Sequence, residues 1–522
     1  MVIYITIMEL ENLIKHYLDS NPILVTDYKV KEFEIRFGSN AKLAKPLNQV
    51  DYENVVKQLL SCGFHSENKD GSQLLRITNE FVDKNTGMTR LSNVRCELVG
   101  SDVIQHYCKH NSIQQLLDSQ STITNQIQFT QKMNFKVGDT ILTPIDVRNF
   151  NFRASFQSEQ SFSPNSNFIK NIITDWANSK KVFRLLNRVR FSHPILPLFV
   201  DVTIVKSSLK ENRRYVPMYT VQESKVFDNT STYEIEIELD NSRVGYNTPF
   251  SNPKELLVSI RKAVRIVMTG IQKTKYPISY NEQDDIIDSY LTIIHNKSHG
   301  IERVIGKHFI GPSTLTLQME NISEVTEHNS VPSIRHDYCV TDKADGERRL
   351  LYIHSDGKIY MIDTNMQVIF TGAISHEKTI YNTIIDGEYI HKNKYGEIIH
   401  LYAAFDIYFA KAKDVRSTPF VSSGNSRLKY LQHVTSIIKP VSIITEKKKN
   451  LPSPIRIQTK SFYVSDENVS IFSCCSKILS NEDDGLLEYN TDGLIFTPNK
   501  LPVGVDKETD TPTNFRTTWQ QS

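Results

Sequence analysis

The sequence predicts an α+β protein, with an antiparallel β-barrel or sheet domain followed by a mixed α/β domain. Three observations predict it. Between residues 31 and 240 the text is mostly short strands of alternating polar and apolar residues, separated by turn residues at hairpin-like intervals. From 246 to 305 it becomes helical. From about 310 onward strands and helices mix, and single charged residues sit inside otherwise apolar strands. A chain of 522 residues is long enough for each domain to bury its own core.

The elements follow in order. "MELENLIKHYL" from Met8 is an amphipathic helix over 8–19, and "KEFEIRFGS" at 31–39 is the first strand. A helix near 51–60 precedes the strands "QLLRIT", "VRCELVG", "QIQFTQKMNF", "NFNFRASF", "FRLLNRVRFS", "PLFVDVTIVKSS" and "TYEIEIEL". Asn252 caps a helix with Pro253 at its first position and Leu256, Leu257, Ile260, Val264 and Val267 as its apolar stripe. A second helix covers about 282–295, "YIHSDGKIYMID" is a hairpin turning on Asp356–Gly357, and "SRLKYLQHVTSIIK" is a helix capped by Ser426. The run Lys447–Lys449 reads as a solvated loop. The resulting division is 1–245, a helical connection over 246–305, and 306–522.

Composition excludes some classes. A net charge of +2 with 23% charged residues is neither a basic nucleic-acid coat nor an acidic tail, so any contact with nucleic acid is local, in a lined cavity. The six cysteines (62, 96, 108, 339, 474 and 475) have no CxxC spacing, which suits a reducing compartment and argues against structural zinc. No apolar run reaches membrane-span length and the start "MVIYITI" lacks a signal peptide's basic region, so a soluble intracellular protein is expected.

Two strands carry glutamates in alternation. Glu32 and Glu34 share a face with Arg36, opposite Phe33, Ile35 and Phe37, and Glu234, Glu236 and Glu238 form a second column with residues roughly 7 Å apart. Taken alone, each is most simply a surface strand with carboxylates in water. If the two strands are neighbours in one barrel, their carboxylates meet in the lumen, where they need a cation. A hard divalent ion, Mg²⁺ or Mn²⁺, takes such oxygen ligands. The intervening strands carry what a polyphosphate needs: Arg153 in "NFRASF", Arg184, Arg188 and Arg190 on one face of "FRLLNRVRF", and Lys206 on the face opposite Asp201, Thr203 and Val205. The pair of ExE strands with arginine strands between them resembles the triphosphate tunnel metalloenzymes, specifically the RNA 5′-triphosphatases of fungi and large DNA viruses, over residues 25–245. The resemblance implies a metal held by Glu32, Glu34, Glu234, Glu236 and Glu238, with Glu236 and Glu238 favoured on the last strand. It also implies water activated against the terminal phosphate.

The second constellation begins at "YCVTDKADGERRLLYI", where Lys343 ends one strand, Asp345–Gly346 turns, and Arg348 starts the next. KxDGxR alone is weak, and a surface hairpin with Lys and Arg is its commoner explanation. "TIIDGEYI" then ends a strand with Asp386, Gly387 and Glu388, "LYAAFDIYF" carries Phe405 and Asp406, and "YNTDGLIFTP" carries Asp492 in an apolar strand. In this order the segments resemble the covalent nucleotidyltransferases, the mRNA guanylyltransferases and polynucleotide ligases. The resemblance implies that Lys343 is the nucleophile, attacking a nucleotide α-phosphate to form a lysyl–NMP, and that its amine must be neutral to do so. It further implies that Arg348 and Glu388 contact the ribose, Phe405 stacks on the base, Asp492 serves metal and phosphate, and Lys460 in "TKSFYV" reads the guanine edge. "FIGPSTLTLQMENI" is similar to the segment that shapes the nucleotide pocket.

A triphosphate tunnel ahead of a lysine nucleotidyltransferase resembles the multifunctional mRNA capping enzymes of nucleocytoplasmic large DNA viruses. The implied partners are GTP and the 5′ end of nascent RNA, and the implied location is a viral factory or virion in the host cytoplasm. In that family a cap methyltransferase follows on the same chain. No such domain is recognisable here, so a separate methyltransferase domain or subunit is expected. A K-x-K strand and an OB-fold are also expected after "DGLIF" and are not found before Ser522. The expectation is therefore a chain cut within the nucleotidyltransferase fold, with a sheet edge left unpaired and weak lysyl–GMP formation. The rival readings are an ATP-dependent ligase and a non-catalytic RNA-end scaffold.

Overall fold

The computed structural model describes residues 2–25, 28–38, 45–66, 68–83, 86–119, 126–212, 214–295, 303–324, 332–446 and 449–514. They form two compact units, residues 1–273 and 274–522. The segment read as a separate connection is divided between them: helix Pro253–Gln272 belongs to the first unit and helix Tyr280–His295 to the second. Lys447 and Lys448, in the run read as a loop, lie outside the described residues.

In the first unit eight antiparallel strands close on themselves. They are β1 (Lys29–Phe37), β2 (Ser72–Val82), β3 (Val94–Val99), β4 (Ile127–Asn134), β5 (Phe152–Phe162), β6 (Lys181–Ser192), β7 (Leu198–Ser207) and β8 (Thr232–Leu239). The order is β6-β7-β8-β1-β5-β4-β3-β2, and pairing of β2 with β6 shuts the barrel. The two glutamate strands are direct neighbours, with Glu34 opposite Glu238 and Arg36 opposite Glu236.

Alternation assigns the outer positions to apolar side chains. Leu75, Ile77, Cys96, Leu98, Phe129 and Phe183 pack with Val103, Tyr107, Ile113, Leu116, Ile169 and Ile173 of the helices Ser101–His110, Ile113–Ser119 and Asn167–Thr174. Phe33 and Phe156 pack around Tyr17 of helix Val2–Asp19. With the core outside, the inner face is free to be polar. Helix Pro253–Gln272 crosses helix Gln49–Ser61 at Gly270, where a Cβ would come within 2.7 Å of the Val55 backbone.

The second unit has two sheets. The strands are β9 (Tyr338–Ala344), β10 (Glu347–Ile353), β11 (Lys358–Asp363), β12 (Val368–Ile374), β13 (Thr383–Lys392), β14 (Ile398–Ala410), β15 (Arg456–Thr459), β16 (Tyr463–Val464) and β17 (Thr491–Pro498). The larger sheet runs β14-β13-β10-β11-β12, with β15 parallel to β14, and the smaller runs β16-β9-β17. Among the described residues β17 pairs on one side only. Helix Tyr280–His295 covers one face of the larger sheet and helix Arg427–Ile437 the other, while helix Ile471–Asp483 packs on the smaller.

The expected turn at Asp356–Gly357 joins β10 and β11, with Gly357 at a φ of +83. Asp345–Gly346 does link the strand of Lys343 to that of Arg348, but the alternative of a surface hairpin fails: β9 and β10 belong to different sheets, so this link carries the chain from one to the other. Asp386–Glu388 lies within β13, at an irregularity opposite β14, and not at a strand end.

Candidate active sites

Cross-strand partners share a face, so register defines what lines the barrel. Glu32, Glu34 and Arg36 of β1 face the same lumen as Glu234, Glu236 and Glu238 of β8, Asp201 and Thr203 of β7, and Arg184, Arg188 and Arg190 of β6. Arg76, Arg95, Glu97, Lys132 and Glu159 complete it from the other strands. The carboxylates are interleaved with cations. Lys132 Nζ lies 2.6 Å from Glu32 and 3.2 Å from Glu34. Arg36 Nε lies 2.8 Å from Glu236, Arg184 Nη2 lies 2.7 Å from Glu234, and Arg190 makes a two-pronged contact with Asp201 at 2.8 and 2.7 Å while also touching Glu238.

This crowding perturbs the acids unequally. Burial pushes Glu238 up to about 7 against the pull of Arg190, with Glu32 and Asp201 adding to the rise. Burial also raises Glu34, Lys132 opposes it, and Glu236 and Glu32 reinforce it. Burial acts in the same sense on Glu236, but Arg36, Arg188, Lys132 and Arg76 outweigh it and hold that carboxyl down at about 2. Two basic groups keep donors to offer: the Nε atoms of Arg184 and Arg188 are buried without a hydrogen-bond partner among the described residues, as is Thr203 Oγ1. Buried donors of this kind suit an incoming oxyanion.

Two expected phosphate ligands stand elsewhere. Lys206 is a correction: it lies on the outer face of β7, and its ammonium donates to the Phe227 carbonyl at 2.6 Å, because strand alternation turns it away from Asp201 and Thr203. Arg153 has the inner-face register, opposite Arg36, but its guanidinium is half-exposed and bound two-pronged to Asp146 at 2.7 and 2.9 Å. Sequence reasoning missed Lys132, Arg76, Arg95 and Glu97 as site residues. Alternation in "QIQFTQKMNF", "QLLRIT" and "VRCELVG" places them on the inner faces, yet single charges in strands are too common to stand out.

Carboxylate oxygens on adjoining strands are the donors a hard divalent cation takes, and the ammonium of Lys132 between Glu32 and Glu34 marks where positive charge is required. Among the described residues, however, no three His, Cys, Asp or Glu side chains converge as ligands, since each glutamate is turned to a basic partner.

In the second unit Lys343 sits at the register shift between Asp342 and Ala344, where β9 bulges against β17. Its ammonium lies 2.5 Å from Asp492 Oδ2, and both side chains are substantially exposed. Beneath it Lys460 is buried, its Nζ 3.1 Å from Asp342 Oδ2 and also on the Asp342 carbonyl, and Tyr489 donates to the same carboxylate at 3.1 Å. Burial lowers the pKa of Lys460, with Asp342 opposing. The lysine expected to read a base edge is thus engaged in holding the strand that carries Lys343.

Arg348 opposes Glu388 across β10 and β13. Its guanidinium grips the fully buried Asp386, Nη2 at 2.5 Å and Nε at 3.2 Å, and lies 5.6 Å from the Phe309 ring and 5.5 Å from Phe405. Tyr408 also donates to Asp386. Glu388 keeps Oε2 buried and without a hydrogen-bond partner, and burial, then Asp386, push its carboxyl up to about 7 against Arg348, Lys460 and Lys343. Asp406, an acidic island in β14, pairs with the buried Arg427 at 2.9 Å, which makes it architectural. An exposed amine, an unsatisfied carboxylate and two aromatic rings therefore border one region of the unit.

Residues 271–511 match the family model described as "mRNA capping enzyme, catalytic domain". The match spans most of the second unit. A 217-residue stretch is 32% identical to the probable mRNA-capping enzyme of Acanthamoeba polyphaga mimivirus, covering 42% of this chain and 15% of that protein. The chain thus matches about one-seventh of the length of that viral capping protein. The Pct1 RNA triphosphatase of S. pombe aligns with a TM-score of 0.28 and 14% identity, over 50% of this chain and 91% of Pct1. Pct1 in complex with the Spt5 CTD aligns at 0.25 and 13%, over 51% and 91%. The role of the barrel rests on its own lining.

Proposed function

We propose that this capping-enzyme relative works at RNA 5′ ends with two chemistries: removal of the γ-phosphate in the barrel and transfer of GMP by the second unit. The observation that carries the reading is Lys343, an exposed amine held at a β-bulge against Asp492 within a capping-family domain. Arg348 and Glu388, with the Phe309 and Phe405 rings both near the guanidinium, provide polar contacts for a ribose and apolar faces for a base. For transfer, Asp492 relieves Lys343 of a proton. The free Nζ then attacks the α-phosphorus of GTP, forming the P–N bond as the bond to pyrophosphate breaks. A terminal phosphate oxygen of diphosphate-ended RNA next attacks the same phosphorus, and the P–N bond breaks to return the lysine. Lys460 and Tyr489 hold Asp342, and so the bulge, in place.

In the barrel, Arg184, Arg188 and Arg190 bind and orient the triphosphate, while water attacks the γ-phosphorus and the bond to the β-phosphate oxygen breaks. Glu32, Glu34, Glu236 and Glu238, with Glu234 beside them, would hold Mg²⁺ or Mn²⁺. That ion would supply charge neutralisation on the phosphates and a more acidic water. Incubation with α-phosphate-labelled GTP or ATP and Mg²⁺, followed by a denaturing gel, tests the transfer. Label on the protein from GTP and none with Lys343→Ala supports it, whereas label from ATP alone would make the chain a ligase.

A further inference from the structure

One inner-facing position of the barrel is out of character. Phe199 of β7 lies opposite Glu238 on one side and Ser192 on the other, on the same face as Asp201 and Thr203. It is the one aromatic ring on the inner face among the described strand residues; Phe33, Phe129, Phe156, Phe183 and Phe191 all point outward. Yet Phe199 is not buried in a core. The ring is partly exposed, and the Arg190 guanidinium lies 4.7 Å from its centroid. That guanidinium is fixed by the two-pronged bond to Asp201 and by Glu238, while its side chain remains 42% exposed. Phenyl ring and guanidinium are thus locked together at an open part of a lumen otherwise built for phosphate.

A flat aromatic–guanidinium pair is suited to stacking on a nucleobase, and stacking tolerates any base. Polyphosphate alone has no use for it. Resting on the reading of the barrel as a triphosphatase, we infer that Phe199, backed by Arg190, receives the first nucleobase of the RNA while the triphosphate extends past Arg188 toward Glu236. The platform favours triphosphates borne on a nucleoside over bare inorganic triphosphate. A plainer role for the ring would be to cover the aliphatic stem of Arg190. The two roles differ in outcome, because a lost cover disturbs Arg190 and harms every triphosphate alike.

The full chain, as Phe199→Ala, Phe199→Tyr and the unaltered protein, is assayed with Mn²⁺ on triphosphate-ended RNA and on inorganic tripolyphosphate. The ratio of kcat/KM for RNA to that for tripolyphosphate should fall roughly tenfold in Phe199→Ala, as loss of one stacked base implies, and return in Phe199→Tyr. An unchanged ratio overturns the platform. A triphosphate RNA beginning with 5-iodouridine should also photo-crosslink to Phe199, and a crosslink absent from β7 overturns the inference whatever the turnover. Absence of hydrolysis on both substrates by the unaltered protein would sink the triphosphatase reading instead, leaving the crosslink to decide the platform alone.

Discussion

At the scale of single residues, the second unit separates what binds from what braces. Asp386 is fully buried and takes Arg348 through both oxygens, with Tyr408 on one of them. Asp386→Asn breaks a buried charged pair and leaves a guanidinium short of its counter-charge, which costs about 3–5 kcal/mol. Urea unfolding should show that loss, and a change under 1 kcal/mol would mean the pair is solvated. Glu388 behaves in the opposite sense. Its carboxyl is raised to about 7, so between the ordinary carboxylate value and pH 7 the folded protein holds a proton that the unfolded chain has lost. That contribution is present at the acid end of the window and disappears as pH rises through 7. Glu388→Gln should therefore gain roughly 1–2 kcal/mol relative to the parent between pH 5 and pH 7.5, read as the difference between their unfolding free energies. A gap independent of pH would remove Glu388 as the titrating group.

At the scale of elements, β1 and β8 carry the argument for the barrel. The register that sets Glu34 against Glu238 brings acids from distant sequence onto one wall, interlocked through Arg36, Lys132 and Arg188. Because those groups act as a set, Glu34→Ala and Glu236→Ala should each cut phosphate release from triphosphate-ended RNA by roughly 100-fold or more, with the barrel still folded by circular dichroism. Normal hydrolysis by both variants would return these strands to the role of a solvent-facing wall. Much of this was legible in the sequence, because strand alternation is local: the ExE strands and the arginine face of β6 follow from it, whereas Lys343, Arg348 and Asp492 stand out through the order of their motifs and the resemblance these carry. Pairing is not local. Nothing in "YCVTDKADGERRLL" announces that the DG link passes between two sheets, since a tight turn and a crossover use the same residues. The basic half of the lumen was harder still. Lys132 gains its meaning only from β4 lying beside β5, which brings it to Glu32 and Glu34 across about a hundred residues of sequence. Lys206 shows the converse error, a basic residue of the right strand on the wrong face.

At the scale of the whole molecule, each unit has its own core and its own site, and no side chain proposed for one chemistry serves the other. Lys343→Ala should therefore abolish the nucleotide adduct and leave phosphate release intact. Loss of both would point to a shared site. The position of the division can be tested as well. A boundary at 245, where the alternating strands end, discards helix Pro253–Gln272, although Leu256, Leu257, Ile260, Ala263 and Val267 on its stripe are buried. Each aliphatic side chain of that size contributes roughly 1.5–3 kcal/mol when fully buried. Gly270 adds a geometric argument, since a side chain there would strike the Val55 backbone, so the helix is fitted closely to helix Gln49–Ser61. Residues 1–273 produced alone should melt cooperatively and release phosphate, whereas residues 1–245 should aggregate or melt at least 10 °C lower, about what the loss of a few kcal/mol does to a unit of this size. Within the longer fragment Gly270→Val should reproduce part of that drop. Equal melting of the two fragments would show that the helix is an accessory to the barrel and that the boundary lies where the strands end.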